Sequence, residues 1–442
     1  MKFINIIVLA IFFFGCSFDD KTGIWKNQNS AEDIKKKDTF NEFISISSNE
    51  KYFDKIKPKN KNFTFKLTAP TKNLKWNDIY YNEHNSDRNF KYKNQSNLIF
   101  KSKKISKHII NDYLLYDNEN IIVSDVKGNI IVYSISENKI LTKYNFYKKK
   151  YKKRNKIINL ILRDKIIYAS DNFGYLYALN YIENKIIWAK NYKIPFRSNL
   201  KIFDNYLIAA NQNNDLFIFN KFNGNVLKQI PTEETSVKNE FINNISIGKD
   251  SLFFLNTYGS LYSIDTSKLK INWFVNLSQS LDTSVSNLFL SNQILFNKGK
   301  IIISTNHYTY ILNSETGSII HKKNFSSFIK PLVVDDYLFL ISKNNLLISM
   351  NIENGKIIYS YDINQLISEF LNTKKKSVYF KKIMLANNSL FIFLKNSYIL
   401  EINLNGNLKS LNKLPSKMNT HPIIIDSALL YINNGNKLIS IN

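Results

Sequence analysis

One pattern of short apolar strands and polar turns recurs along most of the sequence, and it limits the possible folds more than any other feature. The full pattern occurs seven times and a truncated copy follows, at residues 120–146, 165–192, 205–230, 250–277, 300–325, 336–363, 388–414 and 427–442. The first turns of four successive copies, at Gly128, Gly174, Asn214 and Gly259, lie 46, 40 and 45 residues apart. A period of about 40–50 residues built from short strands is typical of a β-propeller.

Within each copy, the spacing of apolar side chains indicates strands. In Tyr175–Leu179, for example, successive side chains point to opposite faces of a sheet. Turns such as Lys127–Asn129 and Asn434–Asn436 contain Gly or Asn, which accept positive φ at low cost. Helical periodicity is limited to a short piece near residues 363–370. The sequence therefore predicts an all-β fold, an eight-bladed β-propeller with four-stranded antiparallel blades.

The truncated last copy leaves one blade incomplete, and a strand from elsewhere in the chain has to complete it. An open propeller would expose unpaired strand edges between its first and last blades. The apolar segment Asn97–Lys101 lies just before the first repeat. We therefore expect this N-terminal strand to pair with the last blade and to close the ring.

The amino-terminal end has the features of an export signal. Lys2 is followed by the apolar run Phe3–Phe14, which is too short to span a hydrocarbon core of about 30 Å. The run ends just before Cys16, and residues 1–16 therefore resemble a lipoprotein signal peptide whose cysteine is lipidated, with palmitate among the acyl chains. An ordinary signal peptide with a chance cysteine is the alternative. Ser17 permits sorting to the outer membrane.

The remaining sequence divides into two regions. Residues 17–70 are polar and irregular, which predicts a flexible tether. Two apolar islands interrupt this region, Phe43–Ile46 and Phe63–Phe65. We expect them to pack against the propeller, although docking to a partner is an alternative. Residues 71–442 are predicted to form the propeller.

The chain is strongly basic, with a formal net charge of +26 and a single cysteine among 442 residues. Lys is abundant in loops and strands alike, which indicates that the positive charge reflects the overall composition. The alternative is an anionic partner. The basic run Lys148–Arg154 is predicted to form a solvated loop, and contact with anionic lipid is the alternative. The positive charge is not concentrated on one element, and we expect no nucleic-acid binding. One cysteine excludes an intramolecular disulfide and a cysteine-cluster zinc site.

Two of the repeats resemble a known blade motif. Gly174–Asn180 with Lys185–Trp188, and Gly259–Asp265 with Ile271–Trp273, resemble the quinoprotein-type (PQQ-like) blade. Residues Trp76–Asn85 resemble the Trp-centred motif that precedes the propeller in one branch of these proteins. With the cysteine near the amino-terminal end and the long tether, the whole chain resembles the BamB family of outer-membrane assembly lipoproteins in its alphaproteobacterial form.

This resemblance implies a non-catalytic scaffold, lipid-anchored at the periplasmic face of the cell outer membrane. It implies binding to the periplasmic domains of BamA, with other subunits of the BAM complex as partners and the chain as a monomer within that hetero-complex. In the family, an Arg on a loop between early blades contacts BamA, and Arg197 in Ile194–Ser198 matches it. Phe196 lies beside it, and Glu240 on the next loop matches an acidic family residue. The alternative for Arg197 is a loop residue paired with a nearby carboxylate.

The sequence offers little support for catalysis. A quinoprotein dehydrogenase needs a calcium cage of carboxylates and amides, and no acidic cluster with such spacing occurs. The five histidines are scattered without a metal-like pair. We therefore expect no enzymatic activity, no cofactor and no metal. The alternative is a periplasmic PQQ-like propeller, such as a degenerate quinoprotein, that binds a small ligand or saccharide in its central channel.

Overall fold

The computed structural model describes residues 52–147, 151, 153–233, 243–278 and 289–442, together with the backbone of residues 16–18 and 25–27. The chain divides into two compact units, Met1–Lys51 and Tyr52–Asn442. The described part of the first unit is an antiparallel pair of short strands, Cys16–Phe18 and Trp25–Asn27, in which Cys16 lies opposite Asn27.

The second unit is a propeller of eight antiparallel blades with four strands each, which confirms the predicted fold class. We number the blades 1 to 8 in chain order from Ile110. Their strands are Ile110–Asp117, Asn120–Asp125, Asn129–Ser134 and Lys139–Asn145 in blade 1; Ile158–Arg163, Ile166–Asp171, Tyr175–Asn180 and Lys185–Asn191 in blade 2; Lys201–Phe203, Tyr206–Ala210, Leu216–Asn220 and Val226–Ile230 in blade 3; Asn244–Ile247, Ser251–Leu255, Ser260–Asp265 and Ile271–Asn276 in blade 4; Leu295–Asn297, Lys300–Ser304, Thr309–Asn313 and Ile319–Lys323 in blade 5; Leu332–Val334, Tyr337–Ile341, Leu346–Asn351 and Ile357–Asp362 in blade 6; Phe380–Ala386, Ser389–Leu394, Tyr398–Asn403 and Leu408–Lys413 in blade 7; and Ile423–Ile425, Ala428–Ile432, Lys437–Ile441 and Leu98–Lys104 in blade 8.

The fourth strand of blade 8 comes from the part of the chain that precedes blade 1. Leu98–Lys104 runs antiparallel to Lys437–Ile441, with Phe100 opposite Ser440 and Lys101 opposite Ile439. Leu438 also donates its backbone N–H to Ser102 Oγ at 2.8 Å. The segment expected from the sequence, Asn97–Lys101, overlaps this strand.

The first strand of each blade lies toward the centre of the propeller, where first strands of neighbouring blades contact one another. The second and third strands are buried from both sides because each sheet packs between two neighbours. In blade 1, for example, Ile121, Ile122 and Val123 are all fully buried. Burying one such side chain contributes about 1.5–3 kcal/mol, so packing between blades is the main source of stability.

The turn between the second and third strands is held by an Asp or Asn side chain in several blades. Asp171 Oδ1 accepts the backbone N–H groups of Phe173 and Tyr175, both at 2.8 Å. Asn256 Oδ1 accepts those of Tyr258 and Ser260 in the same way, at 2.9 and 3.0 Å. Such side chains fix a tight turn because they replace backbone partners locally.

Neighbouring blades are also joined by aromatic side chains that lie on a glycine of the next blade. Trp188, in the outer strand of blade 2, donates its indole N–H to Lys221 O at 2.9 Å. Its ring covers Gly224, where an added Cβ would lie 2.5 Å from Trp188 Cε3. Trp273 covers Gly317 in the same manner between blades 4 and 5.

Later blades that lack this Trp have another ring in its place. His321 covers Gly355, and its Nε2 lies 3.0 Å from Glu353 O. Tyr361 covers Gly406. The blade-to-blade contact is therefore kept although the sequence motif is not.

Residues 52–70 belong to the propeller unit, which corrects the predicted tether of residues 17–70. Lys57 forms a bridge with Ser360 in blade 6. Phe63 and Phe65 pack edge-on against Tyr337, and their ring centroids lie 6.2 and 4.9 Å, respectively, from the centroid of the Tyr337 ring. The expected packing of the Phe63–Phe65 island is confirmed, because these rings find apolar partners on the blades. The island at Phe43–Ile46 lies outside the described residues.

One helix, Ile363–Leu371, follows blade 6 at the place where the sequence predicts a short helical piece. Asp362 caps its amino-terminal end by accepting the Gln365 N–H at 3.1 Å, and Asn372 ends it in the left-handed conformation. Among the residues that the structure describes, no helix has the length and apolar character needed to cross a membrane.

Candidate functional site

A segment that precedes the first blade packs against the inner parts of successive blades. We call this segment, Thr71–Lys93, the cross-channel segment. It contacts blade 8 through Asn73, blade 1 through Trp76, blade 2 through Asp78, blades 4 and 5 through Asn85, and blade 7 through Asn89 and Phe90. Most blades therefore hold part of this segment.

A buried ion pair fixes the cross-channel segment to blade 3. Lys201 Nζ lies 2.6 Å from Asp78 Oδ2, and the side chains of Lys201 and Asp78 are 0% and 6% exposed. Lys201 also donates to Asn82 O at 2.8 Å. Burial raises the pKa of Asp78 and lowers that of Lys201, whereas the attraction between the two groups opposes both shifts. Each charge depends on the other because neither has access to bulk water.

Trp76, in the Trp-centred motif that the sequence predicts, is the main apolar anchor of the cross-channel segment. It is 1% exposed and packs against Tyr81 and Phe90, with ring centroids 4.8 and 5.8 Å away. Its backbone pairs with Tyr116 in blade 1 through two hydrogen bonds of 2.9 Å. Lys382 Nζ lies over the ring at 4.6 Å from its centroid. The motif therefore lies in the hub of the propeller.

Above the cross-channel segment lies a cavity of about 190 Å³, which we call the central cavity. Tyr80 and Asp87 of the cross-channel segment form part of its floor. Its walls come from the inner edges of several blades and include Tyr113, Gln293, Lys330, Lys381, Lys382 and His421. Three lysines and one aspartate thus face the same enclosed space.

A second cavity, of about 230 Å³, lies between the cross-channel segment and blades 2 and 3. Its lining includes Lys75, Arg88 and Arg163, together with Glu83. These four side chains are exposed to solvent, so water and salt screen their charges. The buried pair of Asp78 and Lys201 also lines this second cavity, whereas in the central cavity none of the charged side chains is exposed.

The loop predicted to bind a partner, Ile194–Ser198, lies between blades 2 and 3. Phe196 is 2% exposed and packs against Tyr192 and Phe219, with ring centroids 5.8 and 6.2 Å away. The prediction that Phe196 contacts a partner is therefore wrong, because its ring is part of the core between the blades.

Arg197, next to Phe196, is partly exposed. Its backbone is fixed on both sides, since its N–H donates to Ala210 O at 3.0 Å and its carbonyl accepts the Asn243 N–H at 2.8 Å. The loop therefore holds Arg197 at a defined place on the surface between blades 2, 3 and 4.

Two other predicted site residues cannot be placed. Glu240 lies outside the described residues, and so does the side chain of Cys16. Within the described ranges, no group of three or more His, Cys, Asp or Glu side chains is placed to hold a metal ion. His84 contacts Ile247 O through Nδ1 at 2.6 Å, and His421 stacks on Tyr113 with ring centroids 4.8 Å apart.

The sequence does not predict the central cavity, because the residues that line it are far apart in the chain. Its lysines lie in or just before the inner strands of blades 6 and 7, and its floor comes from a segment about 240 or more positions earlier. The available signal was the adjacent pair Lys381 and Lys382 at the start of an otherwise buried, apolar strand, where lysine is uncommon.

The propeller is similar to solved structures that include BamB and two dehydrogenases. BamB from Moraxella catarrhalis aligns with a TM-score of 0.61 and 12% sequence identity, over 78% of this chain and 98% of that chain. A europium-containing methanol dehydrogenase aligns with a TM-score of 0.62 and 9% identity, over 83% and 89% of the two chains. The quinohemoprotein alcohol dehydrogenase from Comamonas testosteroni aligns with a TM-score of 0.58 and 8% identity, over 83% and 80%.

No family model matches the sequence, and no curated protein matches it either. The structural similarity, at 12% identity or less, shows a fold shared with BamB and with PQQ-type propellers. The shared fold alone does not identify the function of this chain, because one fold supports unrelated functions.

Proposed function

We propose that this protein is a BamB-like lipoprotein, anchored in the outer membrane through Cys16, and that it acts as a non-catalytic scaffold in outer-membrane β-barrel assembly. The observation that carries the proposal is the match between its propeller and nearly the whole of BamB from Moraxella catarrhalis, 98% of that chain. The propeller provides a rigid platform, and the loop with Arg197 provides a defined contact on it.

The fold is also shared with dehydrogenases, which would favour an enzyme instead of a scaffold. Calcium, which a quinoprotein dehydrogenase holds in its central channel, requires several oxygen ligands and an excess of negative charge. The central cavity of this protein instead contains Lys330, Lys381 and Lys382, and its one carboxylate, Asp87, is paired with Lys330 at 3.1 Å. These residues do not fit a calcium ion, which favours the scaffold over the dehydrogenase.

Arg197 is the residue that we propose to contact BamA. A guanidinium group offers five N–H donors in a fixed plane, and Arg is frequent among the residues that dominate binding energy at interfaces. Its backbone is held by blades 3 and 4, so little conformational freedom is lost when a partner binds.

The proposal is tested by co-purification of BamA with the anchored chain from detergent extracts. We expect Arg197→Glu to reduce the BamA recovered by about tenfold or more, as for the loss of a residue that contributes about 2 kcal/mol. Lys413→Glu is the matched control, because it makes the same change of charge on an exposed residue of blade 7.

Two results would contradict the proposal at different levels. Absence of BamA from the wild-type eluate would contradict the scaffold role itself. Equal recovery of BamA with Arg197→Glu and Lys413→Glu, at an unchanged unfolding temperature, would remove only Arg197 from the contact.

A further inference from the structure

The central cavity has a chemical character that the scaffold role does not explain. Its cations come from two neighbouring blades: Lys330 precedes the inner strand of blade 6, and Lys381 and Lys382 lie in the inner strand of blade 7. Asp87 is the one carboxylate in the lining. The cavity therefore carries an excess of positive charge within the hub of the propeller.

Only one of these lysines has a carboxylate partner among the described residues. Lys330 Nζ lies 3.1 Å from Asp87 Oδ1. Lys382 Nζ donates instead to Pro422 O at 2.9 Å and lies over the Trp76 ring. Lys381 donates to Asn419 O. Because an ammonium group has three N–H donors, both lysines keep donors for another acceptor.

Burial in the cavity is costly for these charges. The pKa of Lys382 is lowered to about 8, mainly by burial; Asp87 opposes this shift and the nearby Lys330 adds to it. Burial also lowers the pKa of Lys381, and it lowers the pKa of His421 well below its usual range, so that His421 is neutral at pH 7. A bound negative charge would relieve this cost, since an opposite charge favours the protonated form of a lysine.

Polar groups that can orient a ligand lie around the lysines. Tyr80 and Tyr113 face the cavity, and Gln293 Nε2 donates to the Tyr80 hydroxyl at 3.1 Å. Tyr113 is held by its stacking on His421. A small cavity with a few fixed polar groups and uncompensated charges is typical of a ligand site.

We propose that the central cavity binds a small anion with two or more carboxylate or phosphate groups. Lys381 and Lys382 would donate charge-assisted hydrogen bonds to it, and the tyrosine hydroxyls would complete its contacts. The volume of about 190 Å³ suits a small molecule rather than a protein segment. This site is independent of the proposed contact with BamA, which lies on the loop with Arg197.

Isothermal titration of the purified full chain with citrate and with pyrophosphate tests the proposal at pH 7. We expect at least one of the two anions to bind, and the comparison distinguishes a carboxylate ligand from a phosphate ligand. Glucose, titrated in parallel, serves as the uncharged probe. Absence of binding by both anions, or binding of glucose alone, would overturn the proposal.

Lys382→Met is expected to weaken the binding of the anion by about tenfold or more, because a charge-assisted hydrogen bond is lost. Lys381→Met is the second variant, in case Lys382→Met does not fold. Lys143→Met, an exposed lysine on the outer strand of blade 1, is the matched control and should bind as the wild type does. Equal affinity in a folded Lys382→Met or Lys381→Met variant and in Lys143→Met would exclude the central cavity as the site.

The pH dependence gives a measurement that needs no variant. The ionisable groups at or near the cavity are Asp87, Asp112, Lys330, Lys381, Lys382, Lys395, His421, Tyr80 and Tyr113. Burial raises the pKa of Tyr80 and of Tyr113, so both tyrosines stay neutral at pH 9. Lys382 loses its proton between pH 7 and 9, and we expect the anion to raise the unfolding temperature less at pH 9 than at pH 7. An equal or larger rise at pH 9 would contradict the role of Lys382.

Discussion

At the scale of single residues, the hub of the propeller depends on pairs of side chains that are far apart in the sequence. Asp78 and Lys201 are 123 positions apart, yet their charged atoms lie 2.6 Å from each other. Nothing in the local sequence around either residue indicates this pair. The same limitation applies to Phe196, because the sequence shows an aromatic beside an arginine but not which of them is buried.

Substitution of Lys201 tests how strongly this pair holds the cross-channel segment. We expect Lys201→Met to lower the free energy of unfolding by about 3–5 kcal/mol, because Asp78 is left as a buried charge without its partner. Adding Asp78→Asn should recover part of the loss, since an amide still accepts the Tyr80 N–H that Asp78 Oδ1 accepts at 2.8 Å. Urea unfolding measures both variants, and a loss below about 1 kcal/mol for Lys201→Met would show that the pair is not needed.

At the scale of elements, the repeat pattern marks the second, third and fourth strands of blades 1 to 7 and the second and third strands of blade 8, but not the innermost strands. The second and third strands are long enough to show alternation and end in recognisable turns. Inner strands such as Lys201–Phe203 and Leu332–Val334 have three residues each, too few for a periodic pattern. The ring-on-glycine contacts between blades can be recognised in the sequence only where the motif keeps its Trp. His321 and Tyr361 make the same kind of contact but do not belong to a Trp-containing motif.

Gly224 tests the contact between blades 2 and 3. Its φ of +70° already disfavours any side chain, and an added Cβ would also collide with the Trp188 ring. Gly299 is the matched control, since its φ is +76° but the nearest atom to an added Cβ is 3.9 Å away. We expect Gly299→Ala to cost about 1–3 kcal/mol for the backbone alone, and Gly224→Ala to cost more. Equal losses, measured by thermal or urea unfolding, would mean that Trp188 moves aside freely.

At the scale of the whole molecule, the number of blades and the class of fold could be predicted because repetition is visible along the entire chain. The path of the cross-channel segment and the central cavity could not, because they arise only when distant blades are arranged around one segment. The sequence predicts that the propeller begins at residue 71, whereas residues 52–70, although polar in sequence, contact the blades through a few apolar side chains.

A designed disulfide tests whether Leu98–Lys104 completes blade 8 in solution. Phe100 and Ser440 lie directly opposite each other on neighbouring antiparallel strands, a spacing that a disulfide can bridge. In a Cys16→Ser background, Phe100→Cys with Ser440→Cys should cross-link on oxidation and stabilise the propeller by about 2–4 kcal/mol. Phe100→Cys alone is the control for unfolding temperature. Failure of the pair to cross-link in the folded protein would contradict the pairing of these strands.

The strand pairing in blade 8 also sets the order of events when the protein is made. Ser102 and Leu438 are joined by a hydrogen bond but lie 336 positions apart in the sequence. The strand Leu98–Lys104 is therefore synthesised long before its partner strand, Lys437–Ile441, exists. Contacts between such distant positions slow folding, because a long loop has to close before they form. The early strand therefore has to remain unpaired, and kept from aggregating, until the last blade has been synthesised.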